Sequence, residues 1–439
     1  MRRAPAHCSG SFTRRRFLAS ASAALAAPLV VPATVLGRGG ALAPSERIAV
    51  GIIGLGSRGE NHLDAFLGLD ETQVVAVCDP YASKREAAHK KVEDRYARRA
   101  GGSYKGCLAT SDFRELLDRS DVDAVAIASP ENWHALQSIA AVRAGKDVYC
   151  EKALSLTVAE GRAVSDAVRR HGRVLQVGLQ QRSDRNFRFA CELSRNGYLG
   201  RLSSVTVGVP GGRVLPEAPA AQIPAGLDYE MWLGPALWRP YNDLLCTFNW
   251  YFVTDYCRGW IQSWGVHHID IALWGAPELC RGTLEIEGDA VFPKEGLADT
   301  SVTWRVEARA PSGLRLLFAD NARYRQGVRF EGDRGWVHVD RAGIWAEPAE
   351  LLRTALRPTD ERLHVSHDHH RDFLAAVRSR REPACRVEDG HAATSLTIVS
   401  DVATRVGRKL KWDWESERFV GAPDADRFLQ RPMRSPWSV

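Results

Sequence analysis

From Ile48 to Ile53 the chain is apolar without a break, and a stretch with helical spacing begins as soon as a glycine-rich turn has passed. An unbroken run of that length marks a strand buried on both faces, because a strand with one wet face alternates. The pattern then repeats. "QVVAVCDP" reads as a second strand, "DFRELLDRSDVD" as an amphipathic stretch, "AVAIASP" as a strand and "ENWHALQSIAAVRAG" as a helix. "DVYCEKA", a helix to Arg170 and "RVLQVGL" complete the series. Strand and helix alternating in this way predict an α/β fold with a doubly wound, parallel Rossmann sheet. Past Asn186 the texture changes. "LSSVTVGV", "GTLEIEGD", "SVTWRVEA", "LRLLFA", "VRFEGD" and "GWVHVD" are short, often alternating and divided by Gly, Pro or Asp, so they predict a second region built on a sheet. "HHRDFLAAVRSRR" and "GHAATSLTIVSDVATRVGRK" carry helical spacing near the end. The reading divides the chain at residues 1–43, 44–182 and 183–439.

The first of these segments is an address. Arg14, Arg15 and Arg16 are followed by Phe17, Leu18 and an alanine-rich run to about Val31. Basic, apolar and small residues in that order form a bacterial export signal, and the paired arginines with Phe-Leu resemble the twin-arginine type. The implied partner is the twin-arginine export machinery and the implied location is periplasmic or exported. As a membrane anchor the apolar run is short, and Pro28 and Pro32 interrupt it. Composition changes once the leader is set aside. Its six arginines and absence of acidic residues account for the whole +6 formal charge, leaving 53 basic against 53 acidic residues. No basic surplus remains to suggest nucleic acid as a partner. The remaining roughly 395 residues suit two domains with sizeable cores. Eight of the nine cysteines lie beyond the leader without a C-x-x-C pair, and a twin-arginine substrate folds in a reducing compartment, so mostly free thiols are expected.

Gly54, Gly56 and Gly59 stand in G-x-G-x-x-G spacing between the first strand and its helix, with Ser57 and Arg58 among them. Glycines let the backbone turn tightly and approach a pyrophosphate, and the helix start offers N–H donors. Asp79 ends the second strand 20 residues after Gly59. A carboxylate there accepts from ribose hydroxyls and repels the extra phosphate of NADP, so NAD is favoured. Tyr81, Lys84 and Arg85 nearby leave NADP open.

"ASPENWH" and "CEKALSL", at the ends of successive strands, resemble the Gfo/Idh/MocA family of sugar and cyclitol oxidoreductases. The resemblance runs from Arg47 to the C-terminus through "VGLQQRS", "WLGPALWRPYN", "WGVHHIDIALWG" and "GRKLKWDWESERF". It implies an N-terminal Rossmann domain and a C-terminal α+β domain with a large, open, mostly antiparallel sheet, and homo-oligomers formed through that sheet. It also implies a cofactor site that includes Pro130, His134, Glu151 and Lys152. Lys152 matches the lysine beside the nicotinamide. Beside the positive ring of an oxidised nicotinamide a lysine there is favoured as its neutral amine, which can take a proton from a hydroxyl as hydride leaves the same carbon. Ala153 stands where the family usually has a proline in a cis bond. A non-proline cis bond costs about 3 kcal/mol, which predicts a trans Ala153 or one held by its surroundings. In "SWGVHHID", Gly265, His267 and Asp270 match the family's second catalytic segment, with Ser263 in place of its first aspartate. His267 is expected to share acid–base work with Lys152, and Asp270 to reach back to it one turn along the helix. His268 is expected to be structural.

Substrate candidates follow. Six of the thirteen tryptophans lie between Trp232 and Trp274. Aromatic faces stack on sugar rings, although core packing is expected to claim most of them. Trp264, Asp255, Tyr256, Gln181 and Arg182 are placed around a carbohydrate, with Gln180 beside them; Asp255 and Tyr256 equally suit a turn. "HVSHDHH" offers four imidazoles without a carboxylate–histidine frame, so no metal is assigned; His370 or His369 is placed in the sugar pocket and Asp368 at a helix N-cap. The function expected is an NAD-dependent oxidoreductase acting on a sugar, glycoside or cyclitol hydroxyl, with the nicotinamide held tightly, since an exported protein meets no fresh supply. A redox-neutral NAD-dependent glycosidase or epimerase and a non-catalytic sugar-binding relative remain as alternatives.

Overall fold

Strand β1 (Ile48–Ile53) lies at the centre of a six-stranded sheet, completed by β2 (Thr72–Cys78), β3 (Leu108–Thr110), β4 (Ala124–Ile127), β5 (Asp147–Cys150) and β6 (Leu175–Val177). Every pairing is parallel and the order is β3-β2-β1-β4-β5-β6, the doubly wound arrangement its apolar runs require. The computed structural model describes residues 42–439, so the leader lies outside the described residues. Within the segment that ends at Arg47, the Arg47 guanidinium donates to the Leu42 carbonyl at 3.1 Å. Ile48–Val439 forms a unit of its own. Among the described residues no helix is long and apolar enough to cross a membrane, and their eight cysteines are free.

Local rules account for the helix ends. Thr157 caps the helix Val158–His171 in a reciprocal box, its hydroxyl accepting from the Glu160 amide at 3.3 Å while the Glu160 carboxylate accepts from the Thr157 amide at 3.0 Å. Asp368 caps His369–Ser379 through the amides of His370 and Arg371. That late helix packs back on the first sheet, because Phe373 and Leu374 share a buried cluster with Val50 and Tyr149.

A second sheet of nine strands holds β7 (Leu202–Val209), β8 (Thr283–Val291), β9 (Thr303–Arg309), β10 (Arg315–Asp320), β11 (Gly327–Gly332), β12 (Gly335–Asp340), β13 (Gly343–Glu347), β14 (Leu410–Asp413) and β15 (Arg418–Phe419). Only the β7–β10 pairing is parallel. The last three strands are short and escaped the sequence reading. Two helices, Gly265–Gly275 and Val387–Val406, lie against this sheet and each other. Every residue of Gly265–Gly275 is buried, as a helix covered on all sides must be.

A buried ion pair ties that helix to the end of the first sheet. Arg182, in the turn Gln180–Ser183 after β6, donates to both Asp270 oxygens at 2.7 and 2.8 Å and to Asp389 at 3.1 Å. Their side chains are 6% and 1% exposed. Removing one partner strands the other charge away from water, so Asp270→Ala is expected to cost about 3–5 kcal/mol of stability. Urea unfolding checks this; an unchanged midpoint would remove the pair from its structural role.

Several imidazoles are also buried. Burial and Arg341 push His268 down to about 3, burial pushes His369 to about 4, and burial with His62 pushes His370 to about 4. An unfolded imidazole titrates near 6.5. The unfolded chain therefore takes up protons first, and stability present above pH ~6.5 falls as the pH drops towards ~4, by up to about 1.4 kcal/mol per pH unit for each imidazole. Urea midpoints at a series of pH values test it; a flat profile between pH ~6.5 and ~4.5 would contradict it.

Candidate active site

A cleft of about 580 Å³ opens at the carboxyl ends of β1, β2, β4 and β5 and runs to the start of the helix Gly265–Gly275. One end is the glycine turn. Gly54 has φ +86°, and a Cβ on it would stand 2.5 Å from the Ser129 amide nitrogen. A Cβ on Gly59 would stand 1.8 Å from the Gly54 carbonyl oxygen, so Gly59 serves the close approach of helix to strand and does not line the cleft. Gly56 faces open space with nothing within 4 Å of its absent side chain. Gly56, Ser57 and Arg58 line the cleft. Asp79 is buried there, its two oxygens accepting from the Leu55 amide at 2.7 Å and the Tyr81 amide at 2.8 Å. Each oxygen keeps a lone pair for a hydroxyl. Arg85 is turned to the Asp79 carbonyl at 2.7 Å and Lys84 lies 4.4 Å over the Tyr81 ring. The open face at Gly56 and the anchored carboxylate at Asp79 fit a dinucleotide.

The other end gathers titratable groups. Lys152 donates to the Ser263 hydroxyl at 2.8 Å and has a Glu131 oxygen at 3.8 Å. The Lys152–Ala153 bond is cis, which corrects the expectation of a trans bond and matches the alternative that the surroundings hold it. Those surroundings are specific. The Ala153 amide donates to Glu131 at 3.4 Å, and His134 reaches the Ala153 carbonyl at 2.6 Å and the Ser129 carbonyl at 2.8 Å. Two carbonyl partners call for two N–H groups, an imidazolium. Burial opposes that charge, but Cys150, the Ala153 carbonyl and Glu131 outweigh it and raise His134 to about 9. Pro130 and His134 both line the cleft, and the hydrogen bonds of His134 make it a clamp on the lysine turn.

Glu151 is the most heavily engaged carboxylate. One oxygen accepts from Arg58 at 2.8 Å, Gln180 at 2.9 Å and His62 at 2.9 Å, and the other from the Lys152 amide at 3.2 Å. Burial pushes its carboxyl upward, but His62 and Arg58 overcome this and hold it well below the usual range. It is a fixed anion and not a proton donor. His267 shares the cleft with Lys152, and its Nδ1 has no partner. Burial and the charges of Lys152 and Arg341 push its imidazole well below its ordinary value, so it is neutral. Four of the six tryptophans between Trp232 and Trp274 line the cleft, namely Trp232, Trp250, Trp260 and Trp264. That is a larger share than the sequence reading allowed.

Seven further expected site residues stand elsewhere. Asp270 spends both oxygens on Arg182 and is not the partner of His267. Arg182 is consumed by that pair and Gln181 is buried behind it, so neither lines the cleft, whereas Gln180 does. Asp255 pairs with Arg239 at 2.8 Å beside a different, shallower hollow. Tyr256 is fully buried against Trp232. His370 bonds to His62 at 2.8 Å and stacks on Tyr149, and His369 bonds to Ser183 and the Val177 carbonyl. Neither histidine lines the cleft. Among the described residues no group of three or more His, Cys, Asp or Glu is placed to hold a metal. The sequence reading also missed participants. Glu131 was visible in "ASPENWH" as a carboxylate after a strand. Tyr251, in the short helix Phe248–Phe252 with Lys152 Nζ 5.6 Å from its ring, and Arg341, in a turn, also line the cleft, and no local signal marks them.

Comparison with known proteins agrees with this architecture. Residues 48–179 match the oxidoreductase family with an NAD-binding Rossmann fold, and residues 213–439 match that family's C-terminal alpha/beta domain. Myo-inositol 2-dehydrogenase of Thermotoga maritima is 26% identical over 387 residues, covering 82% of this chain and 98% of that one. Glycosyl hydrolase family 109 protein 1 of Shewanella sp. MR-4 is 30% identical over 204 residues, 43% of this chain and 44% of that one. The chain spans less than half the length of the relatives it matches at 30% or above. In fold it resembles aldose-aldose oxidoreductase from Caulobacter crescentus, with a TM-score of 0.61 at 19% identity, covering 83% and 99% of the two chains. With both halves matched in order and one cleft between the glycine turn and Lys152, the chain belongs to the Gfo/Idh/MocA oxidoreductase family.

Proposed function

We propose that the protein is an NAD-dependent dehydrogenase of a ring hydroxyl on a sugar, glycoside or cyclitol, with its nicotinamide cofactor held tightly. The observation that carries this is the meeting of Lys152, Ser263 and His267 at one end of a cleft whose other end is Gly56 and Asp79. A bound nicotinamide supplies the hydride acceptor. The chain supplies the proton path. Lys152, held by Ser263, removes the hydroxyl proton; neutral His267, which lines the same end of the cleft, accepts from or orients the same hydroxyl. Tryptophans 260 and 264 give apolar faces for the C–H side of a ring. The name of the Thermotoga relative supports the reading.

The leader supports export through the twin-arginine route, folded around its cofactor, and the broad nine-stranded sheet supports assembly into a homo-oligomer. A redox-neutral glycosidase is the second reading, favoured by the family 109 relative. Both use the same cofactor and Lys152, and release of an aryl leaving group from aryl glycosides separates them.

Denaturing the purified mature protein without added cofactor is expected to release stoichiometric NAD or NADH, identified by chromatography and, for the reduced form, the band near ~340 nm. A protein that is empty and also fails to bind added NAD would overturn the dehydrogenase. Lys152→Ala is expected to lower kcat by roughly 10²–10⁴ while leaving NAD affinity intact. A kcat within a few-fold of the parent would remove Lys152 from the proton transfer.

A further inference from the structure

Arg341 has no counter-charge at the catalytic end of the cleft. It sits in the turn between β12 and β13, far in sequence from the other site residues, and reaches the wall formed by His267 and Trp264. Its guanidinium lies 4.5 Å over the Trp264 ring. Stacking on a ring uses the face of a guanidinium and leaves its N–H edge free. Among the described residues no hydrogen bond or ion pair occupies that edge. The acidic residue beside it, Asp340, accepts from the amides of Ala342 and Gly343 and pairs with Arg325.

The other charges at this end are paired. Arg58 is bound to Glu151 at 2.8 Å, and Lys152 has Glu131 at 3.8 Å. Ser263 occupies the place where the family's segment carries an aspartate, so that anion is missing too. Of these three cations Arg341 alone has no acidic partner. Its charge is felt locally, since Arg341 helps keep His267 and His268 neutral, and its own charge is disfavoured by burial and by Arg58.

We infer that the substrate is a sugar acid whose carboxylate is received by the free edge of Arg341 while its ring hydroxyl faces Lys152 and His267. This rests on the dehydrogenase reading above and adds the class of its substrate. A planar guanidinium matches a carboxylate in two parallel hydrogen bonds. The one guanidinium without an acidic partner matches a monoanion, whereas a phosphate dianion would bring a second negative charge into a cleft that already holds Glu131 and Glu151. Arg341 stands over Trp264 in the wall that carries His267.

The test compares matched pairs on the full-length mature protein loaded with NAD: glucose with glucuronate, galactose with galacturonate, and mannose with mannuronate. Affinity is read by calorimetry and turnover by NADH absorbance. In the pair that is turned over, the uronate is expected to bind about 10-fold tighter than its neutral partner. Arg341→Met is expected to erase that difference without changing the NAD affinity, and Arg341→Lys to restore part of it. Equal affinity within all three pairs overturns the inference, as does tighter binding of the hexose 6-phosphates than of the uronates. Loss of NAD affinity in Arg341→Met also overturns it, by assigning the residue to the cofactor. A wild-type protein that binds no NAD would instead overturn the dehydrogenase reading, and the uronate comparison is then read calorimetrically on the cofactor-free protein.

Discussion

The Glu151 carboxylate is the point on which the site turns. It is buried, it sits at the end of a central strand, and it accepts from the helix after the glycine turn, from the turn after β6 and from the lysine segment itself. A buried anion is costly unless its lone pairs are filled, and here four donors fill them. The donors are Arg58 and His62, Gln180, and the backbone of Lys152. Three separate elements are thereby held at one spot, and the lysine emerges from it facing the cleft. His370 extends the arrangement outward by bonding to His62.

The second constraint is the union of two sheets. A Rossmann sheet alone presents a half-site, open above the glycine turn. The helix Gly265–Gly275 supplies the opposing wall, and the Arg182–Asp270 pair fixes its distance from β6. The same helix carries His267 towards the cleft and His268 away from it, since consecutive residues on a helix face different ways. The chain between β7 and that helix is also stitched to the first region, where the Ala82 amide, at the start of the helix after β2, donates to the Gly226 carbonyl at 2.8 Å. Neither sheet could form the cleft alone.

Charge balance within the cleft follows from this geometry. Arg58 pairs with Glu151 at 2.8 Å, and the Lys152 Nζ has a Glu131 oxygen at 3.8 Å. Ser263 leaves Lys152 hydrogen-bonded to a neutral group. His267 is neutral because burial and two neighbouring cations leave no room for a further positive charge. The fixed charges of the cleft are thus mostly spent on one another.

Much of this was legible in the chain. The unbroken apolar runs specified the parallel sheet, because only a strand covered on both faces tolerates them. The glycine spacing and Asp79 specified the dinucleotide cradle, since both are consequences of backbone geometry over a few residues. Lys152 and His267 were visible because they lie in short segments whose local form sets their direction. Where the reading failed, the deciding partner was remote. Asp270 and Arg182 read as the partner of His267 in the catalytic segment and a sugar ligand, yet they are 88 residues apart and satisfy each other in the core. His370 looked free until His62 met it from a helix 308 residues away. Arg341 lay in an unremarkable hairpin, and only the packing of the second sheet on the first brought it to the cleft. Local sequence determines which groups a segment can present. Which of them stay available for chemistry is decided by the tertiary structure, because a buried charge or imidazole is claimed by whichever partner the fold brings within hydrogen-bonding distance.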